Sequence, residues 1–339
     1  MTSEQLISFA RGAPSLDIID VAGLKAAAVR AFETDPAGVT AYGTSVGYPP
    51  LRKWIAEKHG VPVEHVLVTN GSMQADAFLF DHLVRPGDDV VVEKPTYDRT
   101  LLGLRSRGAR VHQVTLHPDG IDVDELRALL ESGVRPKLAH IIPNYQNPAG
   151  ARLSLAKRRA LLDLAAEFGF TIFEDDPYAD IRFRGEPWPS MLSMDTEGLV
   201  VHASSFTKTV CPGVRVGYLV GPAHTIGQIA AAATNHYISP GQLSEGIVYQ
   251  FCVAGDLDKS IATVSAALGE RARLLAAALR EHSPGARFTE PDGGYFLWVE
   301  LPTDVEVDLL QSAAAARGVA VVKGSDFLLE GGHHALRLA

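Results

Sequence analysis

The chain has 339 residues, 31 basic and 40 acidic side chains, and a formal net charge of −9. That length allows about two domains, and 46% hydrophobic with 21% charged residues is a globular composition. The acidic balance argues against a dedicated nucleic-acid binder, and no run of about 18 apolar residues offers a membrane span.

Two cysteines, Cys211 and Cys252, cannot build a disulfide framework or a zinc site. The start MTSEQLISFARGAP lacks a basic segment followed by an apolar one, so a cytoplasmic protein is expected.

Short β-branched runs alternate with helical patterns, which predicts an α/β fold with a mainly parallel sheet. Seven strands are expected: His65–Thr69, Asp89–Glu93, Arg110–Leu116, Lys137–Ile142, Thr171–Asp175, Leu199–Ala203 and Arg215–Val220. Helices are expected over Met73–Leu83, Val123–Ser132, Ser154–Phe168, Ala223–Asn235 and Gly241–Ala254. In the third of these, Ser154 supplies an N-cap and Gly169 a left-handed stop. After about residue 255 a long Ala/Leu/Arg helix, Leu257–Ser283, leads to short strands around Gly294–Glu300 and Val319–Val322. Residues 40–255 therefore read as a large domain. Residues 1–39 and 256–339 read as a small α+β domain with a segment lining the cleft.

Ligands of open α/β sheets bind beyond the carboxyl ends of the strands. Polar residues recur at five such ends: Asn70-Gly71-Ser72, Pro95-Thr96-Tyr97, Asn144 to Gly150, Asp175 to Tyr178, and Ser204 to Lys208. Ser72 at a helix start suits a phosphate dianion, and Ser205 and Arg215 add a hydroxyl and a guanidinium. Tyr97 offers an aromatic face, Asp175 a carboxylate, Asn147 an amide and Lys208 an amine. A phosphate, an aromatic ring, a protonatable ring nitrogen and an aldehyde use all of them. Pyridoxal 5′-phosphate has these four features. A lysine is the Schiff-base partner and proton carrier such an aldehyde requires, and a carboxylate keeps the ring nitrogen protonated.

At these residues the sequence resembles fold-type I pyridoxal-phosphate enzymes of aminotransferase class I/II. It is similar to 2-aminoadipate aminotransferases and to the aminotransferase-like domains of bacterial regulators. The resemblance rests on AYGTSVGYPPLR (41–52), NGSMQA (70–75), EKPTY (93–97), NPAG (147–150), EDDPY (174–178), SSFTKTVCPGVRVGY (204–218) and LRL (336–338). These occur in the family's order across nearly the whole chain. The resemblance implies that Lys208 carries the Schiff base and that Asp175 pairs with the ring nitrogen. Asn147 and Tyr178 would meet the phenolic oxygen, and Tyr97 would stack on the ring. Ser72, the Met73 N–H, Ser205 and Arg215 would hold the phosphate. Tyr42 would reach the site of a neighbouring subunit, which implies a homodimer. Arg337 would pair with the substrate carboxylate, and Gly12 and Asn147 would line the substrate. Family members continue past Arg337 with a terminal strand and helix, so a shortened chain or a reduced small domain is expected.

The function so implied is ping-pong transfer of an amino group from an α-amino acid to a 2-oxo acid. One alternative keeps the cofactor but performs elimination, replacement, cyclisation or oxidation. Another is a ligand-sensing regulator domain, disfavoured because no winged-helix segment precedes the fold. No G-x-G-x-x-G follows a strand, which argues against a Rossmann dehydrogenase. His333-His334 lacks partners for a metal site, and none is expected.

Overall fold

The computed structural model describes residues 6–339. Its main sheet has eight strands. In spatial order they are Val66–Thr69, Gly217–Val220, Val200–Ser205, Thr171–Asp175, Pro136–Ile141, Asp89–Lys94, Arg110–His117 and Gly120–Ile121. The pairs from Val200–Ser205 through Arg110–His117 are parallel. Gly217–Val220 runs antiparallel to both of its neighbours. All seven expected strands form. The eighth is a two-residue strand that Gly120, at φ 107°, turns back onto Leu116–His117, too short for any pattern to reveal. The last expected strand starts at Gly217 because Arg215 adopts a left-handed φ of 51°.

Period-two alternation sends neighbouring strand residues to opposite faces. Val90, Val92, Leu138 and Phe173 join the core under the helices Ser72–Leu83 and Ala223–Tyr237. Val91, Ala139 and Ile172 join the opposite core under Val123–Glu131 and Leu155–Phe168. Every one of these side chains is fully buried, each worth about 1.5–3 kcal/mol for the larger ones. The Leu155–Phe168 helix is capped as expected, with Ser154 accepting from the Lys157 N–H and Gly169 at φ 73°.

A separate three-stranded antiparallel sheet places Ala335–Leu338 between Leu297–Glu300 and Val322–Lys323. The expected strand at 319–322 is split, since Val319–Ala320 pairs instead with Ile7–Ser8. The N-terminal region divides in the same way. Ile7–Ser8 reaches this smaller part, whereas the helix Val21–Thr34 buries Ala27 and Ala31 in one cluster with Ile55, Val66 and Phe251.

Candidate active site

Five strand-end segments meet between the two sheets. Lys208 lies in the turn after Val200–Ser205. Its carbonyl accepts from the Tyr295 hydroxyl at 2.8 Å, and Ser260 Oγ donates to the next carbonyl, of Thr209, at 2.6 Å. The amine donates to the Gly12 carbonyl and sits 5.6 and 5.5 Å from the ring centres of Tyr178 and Tyr295. Burial, then the positive charges of Arg337 and Arg215, lower its pKa to about 8 against the pull of Asp175. Gly12 is required where it stands, because a Cβ there would lie 2.3 Å from the Phe296 ring.

The residues expected to hold a phosphate converge at the start of the helix Ser72–Leu83. Arg215 reaches the Asn70 carbonyl through Nη2 at 3.3 Å. A Cβ on Gly71 would sit 2.2 Å from that nitrogen, so only glycine leaves the guanidinium its place. The Ser205 hydroxyl donates to Thr207 Oγ1 at 2.8 Å and accepts from the Thr207 N–H at 3.1 Å. Arg215 Nη1 meets the same Thr207 hydroxyl at 3.5 Å. Thr207 was not anticipated from the sequence, although it stands in SSFTK between two residues that were. Free N–H groups at a helix start, two hydroxyls and a guanidinium make an anion site. Met73 is half exposed beside it.

Asp175 ends its strand 5% exposed. His140 Nε2 lies 3.4 Å from Asp175 Oδ2, while Oδ1 is buried without any hydrogen-bond partner. His140, another residue missed, also sits 3.4 Å from Thr100 Oγ1; a histidine inside a strand carries no spacing signal.

The loop carrying Asn147 is pinned from below. Arg158, fully buried, binds the carbonyls of Leu153, Pro189 and Pro143 and the Asn144 amide oxygen at 2.8–3.4 Å. Gln146 holds Glu93 Oε2 at 3.0 Å and the Pro95 carbonyl at 2.9 Å. Asn147 then accepts from Arg337 Nη1 at 3.2 Å.

Arg337 occupies the central strand of the small sheet and is buried. Its Nη2 donates to the Ala10 carbonyl at 2.6 Å. Phe296 and Phe327 each lie 4.9 Å from the guanidinium, a cation–π clamp that fixes its plane. Its Nε is buried and unpartnered. Tyr178 packs edge-on against Phe296 at 5.4 Å. Burial and the charge of Asp175 hold its phenol well above the ordinary range. Tyr97 caps the helix Asp98–Ser106 and packs against the cluster of Tyr145, Tyr178 and Phe296. Tyr42 alone is not brought to the site; it is 87% exposed.

Behind Asp175, Glu174, Asp176 and His202 cluster on the opposite face. Glu174 is satisfied by His202 Nδ1 at 2.9 Å and by the N–H groups of Met191 and Leu192. This is an ion pair supporting the strand end rather than an open ligand set.

The orphaned Asp175 oxygen calls for a buried N–H donor, and the Gly71–Arg215 cradle calls for an anion. Pyridoxal 5′-phosphate supplies both. A family model for aminotransferase class I and II matches residues 4–339. The chain belongs to the class I and II aminotransferases. It is 32% identical over 336 residues to an aromatic-amino-acid aminotransferase of Thermococcus litoralis, covering 96% of this chain and 81% of that one. It is 31% identical to the 2-aminoadipate transaminase of Thermus thermophilus, covering 98% and 85%. Among solved structures, the Pyrococcus horikoshii kynurenine aminotransferase superposes with a TM-score of 0.92 at 30% identity, covering 99% of this chain and 86% of that one. The α-aminoadipate aminotransferase of Thermus thermophilus, complexed with N-(5′-phosphopyridoxyl)-L-leucine, gives 0.93 at 31% identity, covering 98% and 87%. This aminotransferase is therefore a fold-type I, pyridoxal-phosphate-dependent transferase acting on amino and oxo acids. No helix among its described residues is long and apolar enough to cross a membrane.

Proposed function

We propose that the aminotransferase moves the amino group of an α-amino acid to a 2-oxo acid in two half-reactions at the cleft around Lys208. The observation that carries this reading is one buried cleft holding an amine of depressed pKa, an orphaned carboxylate and a clamped guanidinium. Ser72, the Met73 N–H, Ser205, Thr207 and Arg215 would hold the cofactor phosphate. Asp175 would pair with the ring nitrogen, Asn147 and Tyr178 with the phenolic oxygen, and Tyr97 would stack on the ring. When bound, the cofactor supplies the aldehyde and the electron sink for the carbon that loses its proton.

Arg337 binds the substrate carboxylate through its planar fork, with Asn147 alongside. Phe296, packed against Gly12, and Phe327 keep water from that pair. Lys208 Nζ takes the proton from the substrate Cα and holds it for return. A primary amine near pKa 8 suits both directions.

We also place Tyr42 in the site of a second copy. Gly43 abuts the Gln242 side chain, and the Asn70 amide oxygen accepts from the Gly241 N–H at 3.2 Å. Its neighbour Gly43 therefore ties this loop toward the phosphate end, and Tyr42, like Met73 and Leu243, is exposed. A homodimer in the cytoplasm fits these features. Two units are proposed as well, the larger taking up the helix Val21–Thr34 because its core is shared.

The test is a half-reaction on the loaded enzyme. Wild type should show the visible Schiff-base absorbance and lose it on adding a donor amino acid, with one equivalent of 2-oxo acid released. Lys208→Ala should lack the band from the outset. A band retained in Lys208→Ala overturns the lysine assignment. Loss of the donor without any 2-oxo acid overturns transamination.

A further inference from the structure

The residues of the cleft are divided between two sheets. Arg337 stands on the small sheet, whereas Lys208 and Ser72 follow strands of the main one. Phe327 lies where the two meet. It ends the turn Gly324–Phe327, which follows the small-sheet strand Val322–Lys323, and it is fully buried. Its ring lies 4.9 Å from the Arg337 guanidinium. Trp298, directly opposite Arg337 in the small sheet, meets the same ring edge-on at 6.0 Å. The place of Phe327 therefore bears directly on the plane of the guanidinium.

The main sheet holds this turn through a side chain that nothing above uses. Gln113 is half-buried on the strand Arg110–His117. Its Oε1 accepts from the Leu329 N–H at 2.8 Å. Its Nε2 donates to the Phe327 carbonyl at 3.4 Å and lies 3.5 Å from the Glu93 carbonyl. One end of the amide faces an N–H and the other faces two carbonyls, so the backbone fixes its orientation. The Thr96 N–H donates to the same Phe327 carbonyl at 3.0 Å. Leu329 and Val111, two residues before Gln113, pack against one apolar cluster of the main sheet. The Glu93 side chain in turn holds the Ile142 N–H at 3.2 Å and Gln146 at 3.0 Å. Gln146 precedes Asn147, which meets Arg337 at 3.2 Å. Gln113 thus joins the two supports of the guanidinium, the Phe327 ring on one side and the Asn147 loop on the other.

We propose that Gln113 is a positioning residue for the substrate carboxylate, a clasp on residues 327–329 that keeps the Phe327 ring against the Arg337 guanidinium. It touches neither substrate nor cofactor. With the clasp in place, the planar fork is set before the carboxylate arrives, and little ordering is left to be done on binding. Without it, Phe327 keeps only the Thr96 bond to the main sheet. The inference rests on the reading of Arg337 given under the proposed function.

The experiment compares two ligands of the apoprotein by equilibrium titration. Pyridoxamine 5′-phosphate has no aldehyde to link to Lys208 and no carboxylate to meet Arg337. N-(5′-phosphopyridoxyl)-L-alanine adds one α-carboxylate and a methyl group. Gln113→Met keeps the length of the side chain and removes its polar contacts. Gln113→Ala serves the same purpose if the first variant does not fold. Affinity for the alanine adduct should fall about tenfold, as for buried hydrogen bonds lost, while affinity for pyridoxamine 5′-phosphate stays that of wild type. Adding Gln113→Met to Arg337→Gln should weaken the adduct no further, because the group it positions is already gone. Wild-type affinity for the adduct in the folded variant overturns the proposal. So does an equal loss for both ligands, or a tenfold loss that persists in the Arg337→Gln background. The other failure is separate: if Arg337→Gln alone binds the adduct as wild type does, the Arg337 reading falls, and the inference with it.

Discussion

A buried amine that must act as a base near neutrality needs its charged form made costly, and Lys208 achieves this by burial and by cationic neighbours. Only the neutral amine attacks an aldehyde, so capture of pyridoxal 5′-phosphate by the apoprotein should accelerate with pH and level off above about 8. Arg337 is the larger of the two cationic contributions. Arg337→Gln should therefore move that midpoint upward, which stopped-flow absorbance will read. A rate independent of pH, or an unmoved midpoint in Arg337→Gln, refutes the electrostatic account. Lys208 and Asp175 are legible in the sequence because each stands in a polar run at or just past the end of an apolar strand, and Arg215 because it follows Lys208 within SSFTKTVCPGVRVGY. Thr207 and His140 are not. Their places inside a turn and a strand give no local signal, and only the packing of the elements reveals what they face.

The strands were legible as apolar runs, and their ends carried the site, so element order and chemistry could be read together. The split at 319–323 was not. Ala320 and Val322 look continuous in sequence, yet they pair with different partners, a choice made by tertiary contacts alone. The junction of Gly217–Val220 with the helix Ser72–Leu83 is another case. A Cβ on Gly217 would lie 2.5 Å from the Ser72 nitrogen and 2.6 Å from the Gly71 carbonyl carbon. Both are backbone atoms, so no rotamer change relieves the clash. Gly217→Ala should push the helix start away from Arg215. Affinity for pyridoxamine 5′-phosphate should weaken about tenfold or more, as expected for a lost hydrogen bond to a charged group, while the far-ultraviolet dichroism stays that of wild type. An unweakened variant shows that the phosphate does not depend on this helix start.

At the scale of the whole molecule, Tyr42 separates a complete monomeric site from a shared one. A tyrosine 87% exposed serves no purpose for its own chain's core. In the two-fold dimer we propose, the same loop would reach the partner's cleft, and the two sites would be equivalent. Lys208→Ala and Tyr42→Ala should then each be impaired alone, the first abolishing turnover and the second weakening cofactor retention. Mixed, unfolded and refolded together, they form hybrids in which one of the two sites has Lys208 from one chain and Tyr42 from the other. That site is wild type. Turnover at limiting cofactor should therefore rise above the value of either variant alone. If Tyr42 served its own chain, no hybrid site would be complete, and mixing would give only the average of the two preparations.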